Sequence, residues 1–219
     1  MQRIPEPELM SDPMQAQAYA ETDFSAPHDA FIAHFAARFP DFKSGRVLDL
    51  GCGAADVTLR FARAYPDTQI VGADGAEAML ALGRAALARA DLAQRIDLRC
   101  AYLPDVEMPH QAFDAIISNS LLHHLVMPDV LWKTILHAAK PGAAICVMDL
   151  MRPASREVAQ HLVTLHANDA PEILRRDFFN SLLAAYEIAE VRAQLCAAAC
   201  AQLQIESVSD RHMLIFGRC

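Results

Sequence analysis

The stretch Arg46-Val47-Leu48-Asp49-Leu50-Gly51-Cys52-Gly53 decides the fold of this chain. It is a short, mainly apolar run that stops at two glycines, which predicts a buried strand turning sharply into a helix. Glycines at such a turn let the backbone bend tightly and let a ligand approach main-chain N–H groups. A tight turn without any ligand explains the motif equally well, so the motif alone does not establish a binding site.

Strands and helices are predicted to alternate on both sides of this turn. Helical spacing, stop signals and short apolar runs predict helices over 29–39, 56–65, 76–89 and 130–139, and strands over 46–50, 69–73, 96–100, 113–118 and 144–149. Lys140-Pro141-Gly142 is interpreted as the stop signal of the last of these helices. Such alternation predicts a parallel sheet with helices on both faces.

The end of the chain has a different pattern. Residues 204–208 and 212–216 are two predicted strands joined by only three residues, and so short a connection makes a hairpin with an antiparallel last strand. The predicted fold class is therefore α/β: a Rossmann-like, doubly wound sheet of seven strands, mostly parallel with an antiparallel last strand. Residues 152–190 hold more helical pattern than one connection needs, and they are interpreted as a helical cap inserted before the hairpin.

Composition and charge limit the classes of protein. The chain has 219 residues, 53% hydrophobic and 21% charged, which excludes intrinsic disorder. A formal net charge of −8 without a dense Lys/Arg run disfavours nucleic acid and membrane-surface partners. Residues 1–8 lack the apolar segment of a signal peptide, and no run is long enough for a membrane helix, so a cytoplasmic protein is expected. The six cysteines form no CxxC pair, so a zinc site is not expected.

A carboxylate at the end of the second strand indicates what the glycine turn binds. Asp74 lies 25 residues after Asp49, where a carboxylate can bind both hydroxyls of a ribose, although Asp74-Gly75 is also ordinary turn sequence. Asp56 stands where a dinucleotide fingerprint has its third glycine, and its charge would repel a pyrophosphate. A positively charged cofactor fits better, and S-adenosylmethionine (SAM) carries a sulfonium cation.

Four segments together resemble the class I SAM-dependent methyltransferases. Residues 47–53 resemble motif I of that family, residues 70–80 the segment after it, residues 113–125 its fourth motif, and residues 139–142 the turn before strand five. Their order and spacing agree across residues 45–150. The most similar type is the small-molecule group that includes the ubiquinone and menaquinone C-methyltransferases.

The resemblance implies that eleven residues bind the cofactor. They are Asp49, Gly51, Cys52, Gly53, Asp74, Gly75, Met79, Tyr102, Leu103, Asn119 and Ser120. The glycine turn would lie against the methionine part of SAM, Asp74 would hold the ribose, and Asn119 with Ser120 would lie below the sulfonium. Met79 would be near the adenine, and a plain core position is an equal alternative for it.

One position departs from the family pattern. Where the family often has an aspartate that binds the adenine amino group, this chain has Tyr102. The tyrosine ring is expected to stack on the adenine instead, with the backbone of Leu103 reading the ring edge. Asp105 is the substitute ligand if the loop is shifted.

Two histidines are the candidate catalytic residues. His123 and His124 follow the fourth strand, and an imidazole titrates near neutrality, which suits a general base. Adjacent residues on a helix point in different directions, so at most one of them is expected to face the pocket. Helix capping or packing is the alternative role, and no metal is expected, because no further ligand stands in a suggestive position.

Three further residues are candidates for contact with the acceptor. The resemblance implies that residues 1–40 form a helical lid over SAM, from which Tyr19 or His28 would reach the cofactor or the acceptor. Ordinary helix packing is equally compatible with those two residues. Arg152 directly follows strand five, and its guanidinium suits a carboxylate or a phosphate on the acceptor.

The predicted function is enzymatic. One methyltransferase domain over residues 1–219 would transfer a methyl group from SAM to a small-molecule acceptor, at oxygen or nitrogen rather than carbon, and release S-adenosylhomocysteine (SAH). The alternatives are a tRNA or protein methyltransferase, a SAM-binding protein that does not methylate, and a nicotinamide dehydrogenase, which Asp56 disfavours. No membrane partner is expected, and a homodimer is left open.

Overall fold

The computed structural model of the chain describes residues 1–6, 9–103 and 108–219. Asp105, the substitute adenine ligand considered above, lies outside the described residues. One seven-stranded sheet forms the centre of the molecule, in the order β3-β2-β1-β4-β5-β7-β6. Its strands are β1 (Ser44–Leu50), β2 (Asp67–Asp74), β3 (Ile96–Cys100), β4 (Phe113–Asn119), β5 (Ala139–Leu150), β6 (Gln204–Ser207) and β7 (His212–Arg218).

Helices occupy the connections and the N-terminal segment. They are α1 (Pro13–Glu21), α2 (Ser25–Arg38), α3 (Asp56–Ala64), α4 (Glu77–Ala90), α5 (Asp129–Ala138), α6 (Arg156–Ala167), α7 (Glu172–Ala184) and α8 (Ile188–Ala197). A short 3₁₀ turn, Leu122–His124, follows β4. Prolines follow the ends of two helices: Pro40 comes after α2 and Pro66 after α3. Proline has no N–H to donate within a helix, so neither helix continues past it.

The strand directions confirm the predicted fold class. β1, β2, β3, β4 and β5 pair in parallel. β7 runs antiparallel to β5, and β6 runs antiparallel to β7. Only residues 208–211 connect β6 to β7, and this connection is too short for the crossover that a parallel neighbour requires, so these two strands are antiparallel.

The strand order reverses between β1 and β4. The chain proceeds from β1 outward to β2 and β3, then returns to β4 and proceeds outward on the other side. Ligands of open α/β sheets bind at such a switch point, at the carboxyl ends of the strands. Leu50, Asp74, Asn119 and Leu150 end their strands at this edge, so the topology brings them to one place.

An aromatic cluster holds the helix that follows the glycine turn. The ring of Phe35 in α2 lies 4.8 Å from that of Phe61 in α3, and Phe42 and Tyr65 complete the group. Phe35 and Phe61 are fully buried, and aromatic pairs in this geometry contribute free energy beyond their buried area. The packing ties α2 and α3 together and thereby fixes the position of the turn between β1 and α3.

The segment Lys140-Pro141-Gly142 lies inside β5, whereas the sequence predicted a stop signal before that strand. The helix ends close to the predicted residue, at Ala138, but β5 begins at once with Ala139. The ladder between β4 and β5 is irregular between Phe113 and Ala115, and Gly142 has a φ of +82°. A proline without an N–H and a glycine at positive φ are accommodated at such an irregularity.

The regions predicted to be a lid and a cap are helical. α1 and α2 precede the sheet, and α6 and α7 lie between β5 and the hairpin, where α7 contacts both α6 and α1. Within the described ranges, no helix combines the length and the apolar character that crossing a bilayer requires. The functions of lid and cap for these regions stay predictions.

Candidate active site

A cavity of about 1060 Å³ opens at the carboxyl edge of the sheet. The ends of β1, β2 and β4 line it together with the N-terminal helices and α7. The cavity brings together all of the residues predicted to bind the cofactor: Asp49, Gly51, Cys52, Gly53, Asp74, Gly75, Met79, Tyr102, Leu103, Asn119 and Ser120. Tyr19, His28, His123 and His124 line it as well. Their individual roles stay predictions.

The turn after β1 needs glycine for two physical reasons. Gly51 has a φ of +74° and Gly53 a φ of +52°, in the left-handed region that favours glycine. A Cβ on Gly51 would lie 2.8 Å from the Cβ of Leu121, which is too close for a real contact. The Gly51 amide donates to the Ala73 carbonyl at 2.8 Å and ties the turn to β2. Glycine therefore lets the turn adopt its left-handed backbone and lets Leu121 pack directly on it.

Asp74, the last residue of β2, is hydrogen-bonded to the glycine turn. Its Oδ2 accepts from the Gly53 amide at 2.8 Å, and its Oδ1 accepts from the Ala76 amide at 2.8 Å. Burial raises the pKa of this carboxyl, and the two amide donors oppose the increase. Each carboxylate oxygen has a further lone pair, so Asp74 can hold the turn and accept hydrogen bonds from ligand hydroxyls at the same time.

Asp49 is a buried carboxyl beneath the same turn. It is 1% exposed, and its Oδ2 accepts from the Thr58 hydroxyl at 2.6 Å. Burial raises the pKa of Asp49 to about 7; the Thr58 hydrogen bond opposes this increase, and the charge of Asp74 adds to it. The proton of Asp49 is therefore easily lost when a positive charge enters the cavity.

Asp56, at the position of the third fingerprint glycine, is a stable negative charge on the cavity wall. His28 Nδ1 lies 2.6 Å from its Oδ2, and Arg60 Nε donates to the same oxygen at 2.7 Å. The hydrogen bond of His28 and those of Arg60 outweigh burial and lower the pKa of Asp56 to about 2. His28, predicted to contact a substrate, is thus engaged with Asp56.

Met79, Tyr102 and Leu103 line the region predicted for the adenine. Met79 is buried, and its methyl carbon would lie 3.1 Å from a Cβ added at Gly53. Tyr102 is 38% exposed, and its ring lies beside Gly75, where a Cβ would be 3.1 Å from the tyrosine Cδ2. Gly75 therefore leaves room for the ring, which presents an aromatic surface to the cavity.

Asn119 and Ser120 follow β4 on the cavity wall. Ser120 has a φ of +59° and its amide donates to the Met148 carbonyl, so it makes a sharp turn directly after the strand. Asn119 Oδ1 is buried and has no hydrogen-bond partner within the described part of the chain. A buried acceptor without a donor costs free energy that a ligand N–H would recover. Together with Asp49 and Asp74, this acceptor fits a cationic nucleoside cofactor such as SAM.

His123 forms a buried pair with Asp149 at the end of β5. Its Nδ1 lies 2.6 Å from Asp149 Oδ1, and Asp149 Oδ2 accepts from the Leu122 amide at 2.7 Å. Burial opposes the charge on both groups, but their mutual attraction outweighs it, so the pKa of His123 is raised and that of Asp149 is lowered. The pair fixes the orientation of the imidazole, because Nδ1 is committed to the carboxylate and Nε2 points away from it.

Both histidines face one carboxylate, so the expectation that only one could face the pocket is wrong. His123 Nε2 and His124 Nδ1 each lie 3.5 Å from Glu6 Oε1, and their ring centroids are 4.2 Å apart. The two residues stand in a 3₁₀ turn that ends at His124, not within a regular α-helix. The helical directions on which the expectation depended do not apply there, and the rings lie side by side.

Tyr19 and Arg152 have different places in the structure. Tyr19 is half-buried on the cavity wall and packs on Phe24, with ring centroids 4.6 Å apart. Arg152 does not stand among the cavity-lining residues that the structure describes. Its guanidinium donates to Glu187 at 2.8 Å and to Glu190 at 2.9 Å, and it thereby fixes the start of α8. The structure thus shows a packing contact at Arg152 where the sequence predicted an acceptor contact.

Two residues of the site were missed in the sequence. Asp149 is the last residue but one of β5, close to the edge where Asp74 ends β2 and Asn119 ends β4, so the strand pattern contained a signal for it. Glu6 has no comparable signal, because it lies in an irregular segment 117 residues before His123. Arg3 positions this segment: its guanidinium donates to the carbonyls of Ala184, His123 and Leu125 at 2.5 to 3.1 Å.

Comparison with known proteins gives an independent view of the central segment. Residues 47–142 match the family described as methyltransferase domain. A ubiquinone/menaquinone biosynthesis C-methyltransferase of Geobacter sulfurreducens is 33% identical over 115 residues, which are 52% of this chain and 45% of that protein. A trans-aconitate 2-methyltransferase of Variovorax paradoxus is 33% identical over 138 residues, 62% of this chain and 49% of that protein. The chain therefore spans about half the length of these curated relatives.

Solved structures are similar to the whole chain in fold. A SAM-dependent methyltransferase from Aquifex aeolicus has a TM-score of 0.68 at 16% identity, covering 94% of this chain and 98% of that one. A Haemonchus contortus phosphoethanolamine N-methyltransferase, solved with S-adenosyl-L-methionine, has a TM-score of 0.69 at 16% identity, covering 90% of this chain and 44% of that one. At such identities the similarity shows the fold.

Proposed function

We propose that this chain, whose central domain and fold are those of a class I SAM-dependent methyltransferase, transfers a methyl group to the oxygen or nitrogen of a small-molecule acceptor. The match of residues 47–142 confirms the family resemblance drawn from the four sequence segments. One sequence relative is a C-methyltransferase and one similar solved structure is an N-methyltransferase, so these proteins do not decide which atom this chain methylates.

One observation carries the proposal: a single cavity joins two chemically different ends. At one end lie the glycine turn, Asp74 and Asn119, whose buried Oδ1 has no hydrogen-bond partner among the described residues, and these groups suit the cofactor. At the other end lie His123 and His124, whose imidazoles form a polar part of the wall that an acceptor can contact. A methyl donor and a methyl acceptor must meet in one enclosed space, and this cavity provides it.

The residues of the chain contribute binding, orientation and exclusion of water. Bound SAM would supply an electrophilic methyl group: the acceptor oxygen or nitrogen would bond to the methyl carbon as the carbon–sulfur bond breaks, the sulfur would keep that electron pair, and the methylated product would lose its extra proton to bulk solvent on release. Asp49 and Asp56 place negative charge on the cavity wall, which favours the cationic donor over the neutral product. Leu125, Leu150 and Phe178 give the acceptor region an apolar wall.

The shape of the cavity favours a small acceptor over a macromolecule. α1 contributes Tyr19 to its wall, α2 contributes His28, and Phe24 lies between these helices; α7 contributes Leu174 and Phe178. A folded tRNA or protein would have to displace these helices, whereas a small molecule would not. The formal net charge of −8 also disfavours tRNA.

Calorimetry followed by a transfer assay tests the proposal. SAM and SAH should bind to the full chain with micromolar affinity and NAD should not, on protein checked for co-purified ligand. Mixtures of phenols, carboxylic acids and amines are then incubated with SAM, and SAH formation is measured, with Asp74→Ala as the inactive control. Binding of NAD alone, or transfer to tRNA or protein but to no small molecule, would contradict the proposal. SAM binding without transfer to any acceptor class would instead indicate a SAM-binding protein that does not methylate.

A further inference from the structure

Three side chains of metal-binding type meet beside the cavity: His123 and His124 line its wall, and Glu6 lies behind them. Glu6 Oε1 lies 3.5 Å from His123 Nε2 and 3.5 Å from His124 Nδ1. The three ligand atoms all lie within 4.8 Å of one another. Glu6 comes from an irregular N-terminal segment, and the two histidines come from the turn after β4. Only the fold brings them together, and their spacing in the sequence does not predict the cluster.

We propose that Glu6, His123 and His124 bind one divalent transition-metal ion of the zinc type. Zinc binds imidazole nitrogen and carboxylate oxygen at about 2.0–2.2 Å in tetrahedral sites. Two ligands of one such ion are about 3.4 Å apart, which follows from those bond lengths and the tetrahedral angle. The two separations of 3.5 Å therefore match the edges of a zinc site, whereas they are too long for hydrogen bonds.

Asp149 supplies the second contact that metal-bound histidines normally have. It lies 2.6 Å from His123 Nδ1, so a metal-bound imidazole would keep its proton on that side and bind the ion through Nε2, which faces Glu6. The Leu122 and Leu150 amides both donate to Asp149 at 2.7 Å and fix the carboxylate in turn. An arrangement of carboxylate, histidine and metal is the usual way in which a protein orients such a ligand.

The buried oxygen of Glu6 is the second observation that favours an ion. Oε1 has no hydrogen-bond partner within the described ranges, and the Glu6 side chain is 11% exposed. An acceptor buried in this way is costly unless a donor or a cation compensates it. Arg3, the cation nearest in sequence, does not do so, because its guanidinium donates to backbone carbonyls.

The role of the ion rests on the proposed methyl transfer, because the ion would bind the acceptor. Glu6, His123 and His124 provide three ligands, and a tetrahedral ion has a fourth position for a water or a substrate atom. Because His123 and His124 line the cavity, an acceptor with a hydroxyl, carboxylate or amine group can reach the ion. The substrate class is therefore a small molecule with such a donor group next to an apolar body.

Metal binding is tested on the full chain without any acceptor. After dialysis against a chelator, Zn²⁺ is titrated by calorimetry in the presence of SAH, and Co²⁺ is added in parallel to record its visible absorption. One equivalent should bind, with d–d bands of a four-coordinate N/O site and without the charge-transfer band of thiolate ligands. Glu6→Gln and His124→Gln should each weaken binding at least about tenfold, since each removes one ligand.

A matched variant and a second measurement separate the possible failures. His166 lies 2.6 Å from Asp210 near the cavity mouth, so His166→Gln removes a carboxylate-paired histidine elsewhere and should leave Zn²⁺ affinity unchanged. SAM binding by each variant shows that it is folded. Absence of stoichiometric Zn²⁺ binding, thiolate bands in the Co²⁺ spectrum, or equal affinity in Glu6→Gln would overturn the inference. If SAM binds in all of these cases, the proposed function survives that outcome.

Discussion

The two ends of the cavity are built in different ways. The centre of the cofactor end comes from one continuous stretch, in which Asp49, the glycine turn and Asp74 are joined by β1, α3 and β2, and Asn119 is added from β4. The acceptor end joins Glu6, the turn at His123 and His124, and Asp149, which lie far apart in the sequence. Local sequence motifs therefore form the centre of the cofactor site, whereas contacts between distant segments form the acceptor site. The acceptor chemistry of this fold can therefore change without altering the glycine turn.

The largest loss of stability is expected on substitution of Asp149, the buried carboxylate that supports the acceptor end. Asp149→Ala removes a carboxylate that holds His123 and two backbone amides in a buried site. We expect the free energy of unfolding to fall by about 3–5 kcal/mol, because the remaining donors are left buried without a partner. Urea denaturation measures this change. Asp129→Ala, which breaks an exposed pair with Lys133, is the control and should leave stability unchanged; equal behaviour of the two variants would contradict the account.

Gly51→Ala should damage the cofactor end strongly. The substitution places a Cβ 2.8 Å from Leu121 Cβ and forces alanine to a φ of +74°. Gly142→Ala is the matched control, because Gly142 has a φ of +82° but open space around it. The control should lose about 1–2 kcal/mol of stability from backbone strain and keep its SAM affinity. Gly51→Ala should lose more than about tenfold in SAM affinity, which corresponds to more than about 1.4 kcal/mol. Similar calorimetric affinities for the two variants would show that the turn does not contact the cofactor.

The charge of Asp49 predicts a pH dependence of binding. Its pKa, raised by burial to about 7, means that the carboxyl is neutral below this pH and negative above it. SAM carries a sulfonium charge that SAH lacks, so the ratio of SAM to SAH affinity should rise about three- to tenfold between about pH 6 and 8. Asp74 and Cys52 also face Asp49 and are unchanged in Asp49→Asn, in which the ratio should be independent of pH. A rise of the same size in that variant would exclude Asp49 as the cause.

The smallest effect is expected at Tyr102. If its ring stacks on the adenine, Tyr102→Phe should bind SAM like the wild type, and Tyr102→Ala should lose about two- to tenfold. An aromatic contact of this kind is worth about 0.5–1.5 kcal/mol. Competition calorimetry with SAH can resolve such a difference. Full affinity in Tyr102→Ala would show that the cofactor adenine is recognised by other residues.

The difference between the two ends also explains what the sequence could predict. The alternation of strands and helices follows from periodicity, and the glycine turn and Asp74 follow from glycine positions and a carboxylate at a strand end, which are local signals. The resemblance to the methyltransferase family alone implied the other cofactor-end residues. The turn at His123 and His124 was found, but its geometry was not, since a 3₁₀ turn and an α-helix of three residues are not distinguished by sequence pattern. Arg152 is a different case: its position next to β5 predicted an acceptor contact, whereas in the structure its guanidinium pairs with Glu187, just before α8, and with Glu190 in α8.

Glu6 could not be predicted, because only tertiary packing brings it to the histidines. Arg3 stacks on the Tyr186 ring at 4.0 Å and donates to carbonyls of three separate segments, and this anchors the N-terminal residues beside the cavity. None of these contacts has a short-range sequence signal. Without an anchored Glu6, the two histidines are compatible with capping, packing or base catalysis; with it, they are compatible with a metal site.

Calorimetric titration of SAM into wild type, Asp74→Ala and Glu6→Ala tests most directly whether the two ends of the cavity are separate. Asp74→Ala should weaken SAM binding about tenfold or more, because hydrogen bonds to a charged carboxylate are each worth about 1.5–3 kcal/mol. Glu6→Ala should bind SAM within about twofold of the wild type, because Glu6 contacts the histidines and not the glycine turn. Unchanged affinity in Asp74→Ala, or an equal loss in Glu6→Ala, would contradict the account.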